Sequence, residues 1–454
     1  MANLIQTSSF FILCCFHLTL FAESESFIGI NYGQVADNLP APEATAKLLQ
    51  STSIEKVRLY GSDPVIIKAL ANTGKGIMIG VSNNDIPVMA SDPNFAEGWL
   101  STNVLPFYPA SKIIVINVGN EVMISNDQNL MTNLLPAMQN LQNALNDASI
   151  GGKIKVSTVH AMSVLKQSEP PSSGSFDPSI GDLLKGLLEF NKVTGSPFAI
   201  NPYPYFAYQS DPRPDTLAFC LFQPNSGRFD AGTKIKYTNM FDAQVDAVRA
   251  ALNAMGFKEV EIVIAETGWP YKGDSNEVGP SIENAKAYNG NLIAHLRSMV
   301  GTPLMPGVSV DTYLFAMYDE DLKPGPTSER SFGLFKPDLT MSYDIGLSKA
   351  NSQVPTPEAP VPSSSPQSTP VTSSSPQSTP LTPSSPNNSA TPSSPNTSVT
   401  PSSPKAPATS SLPNAKTVDS VPKKAVSEAK LQANINLGVL VLSQIIWHLM
   451  LHML

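Results

Sequence analysis

Cysteine is nearly missing from the chain, which has three in 454 residues. Cys14 and Cys15 lie in an apolar N-terminal stretch of the kind that is cleaved, which leaves Cys220 alone and excludes an intramolecular disulfide. A secreted chain without disulfides needs a large core instead, and a unit of about 300 residues buries roughly 75% of its unfolded surface. Cys220, among Phe219, Leu221 and Phe222, is expected to be an inert buried thiol. Charge is scarce too. Only 15% of residues are charged, the balance of 29 basic against 37 acidic residues is −8, and no basic run exceeds Lys423-Lys424. That excludes the basic stripe that follows a phosphate backbone, so no nucleic-acid partner is expected. No Gly-rich phosphate loop follows the first apolar run. His160 has no second His or carboxylate at ligand spacing, so no metal site is expected. No cofactor is expected either.

What is present divides the chain into four parts. Phe10 to Leu20 is an apolar run followed by small and polar residues, the form of a secretory signal, assigned to 1–25. Pro355 to Pro422 holds 17 of the 41 prolines with abundant Ser and Thr and no aromatic residue, so it cannot build a core. Two ten-residue units from Ser363 and three nine-residue units from Pro383 make this a disordered, O-glycosylated stalk, assigned to 353–427. Both Asn-x-Ser/Thr acceptors, Asn387 and Asn396, fall within it. Leu431 to Leu454 carries no charged residue and turns strongly apolar from Leu437. A polar spacer followed by such a tail reads as a glycosylphosphatidylinositol (GPI) signal over 428–454, with Ser427 as lipid attachment residue and Ala425 as competitor.

The remaining segment, 26–352, contains eight apolar runs: 27–32, 56–60, 77–81, 113–118, 154–159, 198–201, 261–265 and 310–317. Most are continuously apolar, as parallel strands covered on both faces require. Between them, 130–145, 241–255 and 282–299 repeat apolar residues at three- and four-residue spacing, which predicts amphipathic helices. Eight such units predict an α/β fold, a closed (β/α)8 barrel, with an open doubly wound sheet as runner-up.

Barrel active sites lie where strands end, so the polar residues that follow each run matter. The fourth run delivers Asn120 and Glu121, and the seventh delivers Glu266 and Trp269. Two carboxylates across a barrel mouth suit glycosidic bond cleavage, one protonating the departing oxygen while the other attacks or activates water. Asn120 is expected to bind a sugar hydroxyl and Trp269 to offer a stacking face. Tyr32, Tyr203 and Tyr205 follow the first and sixth runs and are candidates to line the groove.

These motifs resemble a family. Val118-Gly119-Asn120-Glu121 and Glu266-Thr267-Gly268-Trp269-Pro270, with Ile30-Asn31-Tyr32-Gly33, Val57-Arg58-Leu59-Tyr60 and Asn201-Pro202-Tyr203-Pro204-Tyr205, are similar to plant endo-β-1,3-glucanases of glycoside hydrolase family 17. The resemblance runs on through Phe315 to Glu320, Lys323 to Pro326 and Glu329 to Phe335. It implies a retaining mechanism with Glu121 as proton donor and Glu266 as nucleophile. It also implies a supporting polar cluster of Glu320, Lys323 and Glu329 that contacts substrate, and Arg58 is read as favouring ionised Glu266. The chain departs from the pattern at Asp319, where many relatives have Asn, and no Cys-rich glucan-binding module follows the barrel.

The resulting expectation is a monomeric endo-hydrolase of β-1,3-glucan such as callose, tethered by stalk and GPI anchor to the outer plasma-membrane face or cell wall. Two alternatives remain open at this point, a glucan transglycosylase and a wall protein that binds glucan without cleaving it.

Overall fold

In the computed structural model, residues 27–349 are described. The signal, stalk and tail readings, with Asn387, Asn396 and Ser427, lie outside the described residues.

All eight apolar runs form strands: β1 (Ile28–Tyr32), β2 (Lys56–Leu59), β3 (Gly76–Val81), β4 (Lys112–Asn120), β5 (Lys155–Ala161), β6 (Phe198–Asn201), β7 (Ile262–Thr267) and β8 (Thr312–Leu314). They pair in parallel, each with its sequence neighbours, and β8 closes on β1 through Ile28 beside Thr312 and Ile30 beside Leu314. The result is the closed barrel that continuous apolar runs predict. Their residues are buried because one face meets the barrel interior and the other a layer of helices.

The helices follow their amphipathic patterns. The helix α1 (Pro42–Gln50) follows β1, α2 (Gln128–Asp147) follows β4, α3 (Met240–Ala254) precedes β7 and α4 (Ile282–Arg297) follows it. On α2 the buried residues Met131, Leu134, Met138, Leu141 and Leu145 recur every three or four positions, each full burial being worth about 1.5–3 kcal/mol. Asp127 starts this helix by accepting from the amides of Asn129 and Leu130, a cap worth about 1 kcal/mol.

One part departs from a regular eightfold barrel. No α-helix follows β8 among the described residues. The chain runs through a short 3-10 turn at Thr327–Arg330 and bridges Tyr318 to Phe335 instead. Lys323-Pro324-Gly325-Pro326 explains this, since two prolines and a glycine at φ +102° cannot continue a helix. Phe27, Met78, Val115, Val263 and Tyr313 pack together as a separate buried apolar cluster contributed by β3, β4, β7 and β8 and the residue before β1. Among the described residues, no helix is long and apolar enough to cross a membrane.

Candidate active site

The end of β4 is shaped by its backbone. Gly119 sits at φ +71°, where a Cβ would lie 2.6 Å from a Val122 methyl carbon, and Glu121 at φ +53°. A left-handed non-glycine residue costs about 1–3 kcal/mol. The Glu121 amide donating to the Val159 carbonyl at 2.8 Å holds it there. Asn83, after β3, grips the preceding residue at both backbone atoms, accepting from Asn120 N at 2.8 Å and donating to its carbonyl at 3.1 Å.

The side chains converge from five strands. Arg58 on β2 is buried and points into the barrel, where Nη1 donates to Glu266 Oε1 at 2.7 Å and to the Ala265 carbonyl at 3.0 Å. Its Nη2 donates to Asn120 Oδ1 at 2.7 Å, and the guanidinium lies 4.6 Å from the Tyr60 ring centre. The other oxygen of Glu266 accepts from the Tyr203 hydroxyl at 2.9 Å. Burial, and then the Glu266 charge, pushes the Tyr60 and Tyr203 phenols well up, so Tyr203 stays a donor.

Glu121 is held differently. Asn201 Nδ2 donates to its Oε1 at 2.8 Å, and among the described residues no cation bonds it directly. Burial first, and the Glu266 charge second, raise its carboxyl to about 7, against smaller lowering by Asn201, Arg58 and Lys323. One carboxylate is thus paired with a buried guanidinium while the other remains protonated up to neutral pH. Such a split equips two adjacent acids for opposite tasks.

Beyond β8, Lys323 Nζ lies 3.7 Å from Glu320 and 3.8 Å from Glu329, over the Phe315 ring at 4.5 Å. Burial works against its charge, but Glu320, Glu329, Glu266 and Glu121 outweigh it and raise its pKa. Glu320 also explains Gly33, where a Cβ would lie 2.2 Å from the Glu320 carboxyl carbon. Asp319 is turned elsewhere, accepting from the Gly333 amide at 2.8 Å and from the Tyr271 hydroxyl.

The structure therefore brings together Glu121, Glu266, Asn120, Arg58, Tyr203, Glu320, Lys323 and Glu329. It does not do so for Tyr32 and Trp269, and both readings are corrected. Trp269 is fully buried, its ring 5.3 Å from Tyr205 and 5.7 Å from Tyr288, with Nε1 donating to the Gly279 carbonyl at 2.9 Å. It offers no face to a sugar. Tyr32 is 1% exposed and packs edge-on against Tyr318, on the helix side of β1. Strand alternation explains this, because Asn31 points inward to the Ala265 carbonyl and its neighbour must point out. Tyr205 is buried as well. Asn201, Asn83 and Tyr60 were not singled out as site residues, although each lies at a strand's end. Cys220 is buried, its thiol pushed up to about 12 by burial. Among the described residues, no group of three or more metal-ligating side chains is placed to hold an ion.

Comparison with known proteins adds a second line. The family described as glycosyl hydrolases family 17 matches residues 28–347. The chain is 67% identical to glucan endo-1,3-beta-glucosidase 7 of Arabidopsis thaliana, over 79% of this chain and 71% of that protein. It is 63% identical to a glucan endo-1,3-beta-D-glucosidase of Olea europaea, over 80% and 79% respectively. Among solved structures, CJP38, a beta-1,3-glucanase and allergen of Cryptomeria japonica pollen, is 40% identical with a TM-score of 0.67, covering 71% of this chain and 99% of that one.

Proposed function

The chain belongs to glycosyl hydrolases family 17 and is an endo-1,3-β-glucanase, and from that premise we propose that it works by retention, with Glu121 as acid/base and Glu266 as nucleophile. In the first step the Glu266 carboxylate bonds to the anomeric carbon as the glycosidic C–O bond breaks, and Glu121 gives its proton to the departing oxygen. In the second, Glu121 takes a proton from water, whose oxygen bonds to the anomeric carbon and frees Glu266. The observation that carries this reading is the split between the two acids. Glu266 is held by Arg58 and Tyr203, while Glu121 has no bonded cation among the described residues and is pushed up to about 7 by burial and the Glu266 charge.

Asn120, whose Oδ1 is taken by Arg58, has its amide nitrogen to offer a sugar hydroxyl, and Tyr203, Glu320, Lys323 and Glu329 would border the bound glucan. A neutral substrate fits a chain with few basic residues. We further place the enzyme, as a monomer, at the outer face of the plasma membrane or in the cell wall, acting on callose. The sequence features supporting that placement are the N-terminal signal, the Pro/Ser/Thr stalk with Asn387 and Asn396, and the tail with Ser427. The deciding experiment is product analysis on linear β-1,3-glucan by anomeric NMR and mass spectrometry. Initial release of β-anomers shorter than the input supports the proposal. Initial α-anomers would refute retention, and products longer than the input would identify a transferase.

A further inference from the structure

The loop that follows β7 carries two carboxylates, Asp274 and Glu277, that form no salt bridge among the described residues yet are fully engaged by neutral donors. Asp274 accepts from the Thr327 amide at 3.1 Å and from the Thr327 hydroxyl. Glu277 accepts from the Ser328 amide at 3.2 Å and from the Ser328 hydroxyl, and it also receives the Asp274 amide at 2.8 Å. A third tie joins the same two segments, the Tyr271 amide donating to the Ser331 carbonyl at 2.9 Å.

The four-residue turn so gripped, Thr327–Arg330, is too short to hold its own shape. Its next residue is Glu329, which meets Lys323, and the one after is Arg330, whose Nη1 donates to the carbonyls of Lys323 at 2.9 Å and Gly325 at 2.8 Å. The grip on Thr327 and Ser328 therefore sets where Glu329 and Lys323 stand. Gly325 leaves little slack, since a Cβ there would lie 3.3 Å from Glu329 Cγ.

We propose that Asp274 and Glu277 are positioning residues for the glucanase reaction, fixing the turn that presents Glu329, and through it Lys323, to the reacting carboxylates. The inference rests on the reading of Glu121 and Glu266 as acid/base and nucleophile. The charged groups facing Lys323 are Glu320, Glu329, Glu266 and Glu121. Those facing Glu121 are Glu266, Arg58 and Lys323, with Asn201 as its hydrogen-bond donor. Glu277 faces Glu329 and Tyr205, and Asp274 faces Arg330 and Lys272. If the grip fails, Lys323 withdraws and Glu121 loses one of the charges that favour its ionised form.

The test compares Asp274→Asn, Glu277→Gln and Ser328→Ala with the wild type and with the exposed control Asp338→Asn. The substrate is β-1,3-gluco-oligosaccharide, circular dichroism monitors folding, and kcat and KM are measured across pH. The gripping variants are expected to lose roughly ten- to a hundredfold in kcat, the scale of an ångström-sized misplacement, with KM changing by less than about threefold. Their alkaline limb should move to higher pH, and Glu277→Gln should add no further movement to Lys323→Met. A limb that stays in place in the folded variants, or shifts that add in full, would overturn the proposal. Failure of the underlying reading is separately visible as retained turnover by Glu266→Gln.

Discussion

Arg58 and Glu266 form a buried ion pair with 2.7 Å between nitrogen and oxygen, and the same guanidinium holds Asn120, the neighbour of Glu121. One side chain on β2 thereby fixes the spacing of two strand ends that are 145 residues apart in sequence, 266 − 121. Arg58→Met should leave the Glu266 charge buried without its bonded cation, at a cost of about 3–5 kcal/mol. We expect a lowered thermal midpoint and a loss of at least roughly a hundredfold in kcat. Arg58→Lys should recover part of the stability but little of the rate, because an ammonium cannot reach Glu266, Asn120 and the Ala265 carbonyl together. Wild-type turnover by Arg58→Met would dismiss this role.

Replacing either carboxylate by its amide should separate chemistry from folding. In Glu266→Gln the amide oxygen can still accept from Arg58 while its nitrogen donates to the Tyr203 hydroxyl, so the local hydrogen bonds survive. In Glu121→Gln the oxygen still accepts from Asn201. Both variants should keep native circular dichroism and lose turnover by about four orders of magnitude or more. Turnover within about tenfold of the wild type by either folded variant would remove its residue from the mechanism.

The pH dependence follows from Glu121. As the acid it must be protonated, so kcat/KM should fall as pH rises through about 7. The Asn201 hydrogen bond favours the ionised form, and its loss in Asn201→Ala lets the pKa climb further. The alkaline limb should then move upward by roughly one pH unit, the equivalent of a hydrogen bond worth about 1.4 kcal/mol. Movement in the opposite direction in the variant's pH profile would contradict the assignment.

The barrel was legible because its parallel strands are buried on both faces and so read as unbroken apolar runs, from 27–32 through 310–317. Helices α2, α3 and α4 were legible for a different reason: each buries a single stripe, so its apolar residues recur at three- and four-residue spacing. The irregular return after β8 does not show in the apolar periodicity, although Lys323-Pro324-Gly325-Pro326 carries the signal. Within the site, chain position found residues at strand ends but not their direction. Tyr32 could have been placed correctly by counting from the inward Asn31. Asn201 opens a motif dominated by tyrosines and prolines, and its own direction is not marked there. Asp274 and Glu277 lie in a polar loop where nothing in the sequence marks Thr327 and Ser328 as their partners.

Trp269 illustrates the limit of adjacency and yields a decisive comparison. It stands three residues after Glu266, but the chain turns at Gly268, where a Cβ would lie 2.1 Å from the Phe315 carbonyl oxygen, and the indole is directed into the core. There Tyr205, Tyr208 and Tyr288 surround it, and Gly279, at φ +100°, passes close enough to accept its N–H. Trp269→Ala should therefore cost about 3–5 kcal/mol of stability by opening a cavity, while Trp269→Phe, which loses the hydrogen bond and some volume, should cost less. Because the ring touches no solvent, KM of the folded fraction should be nearly unchanged in Trp269→Phe. A stacking platform would behave in the opposite way, with KM rising steeply and the thermal midpoint unmoved, so the two measurements together tell core from groove.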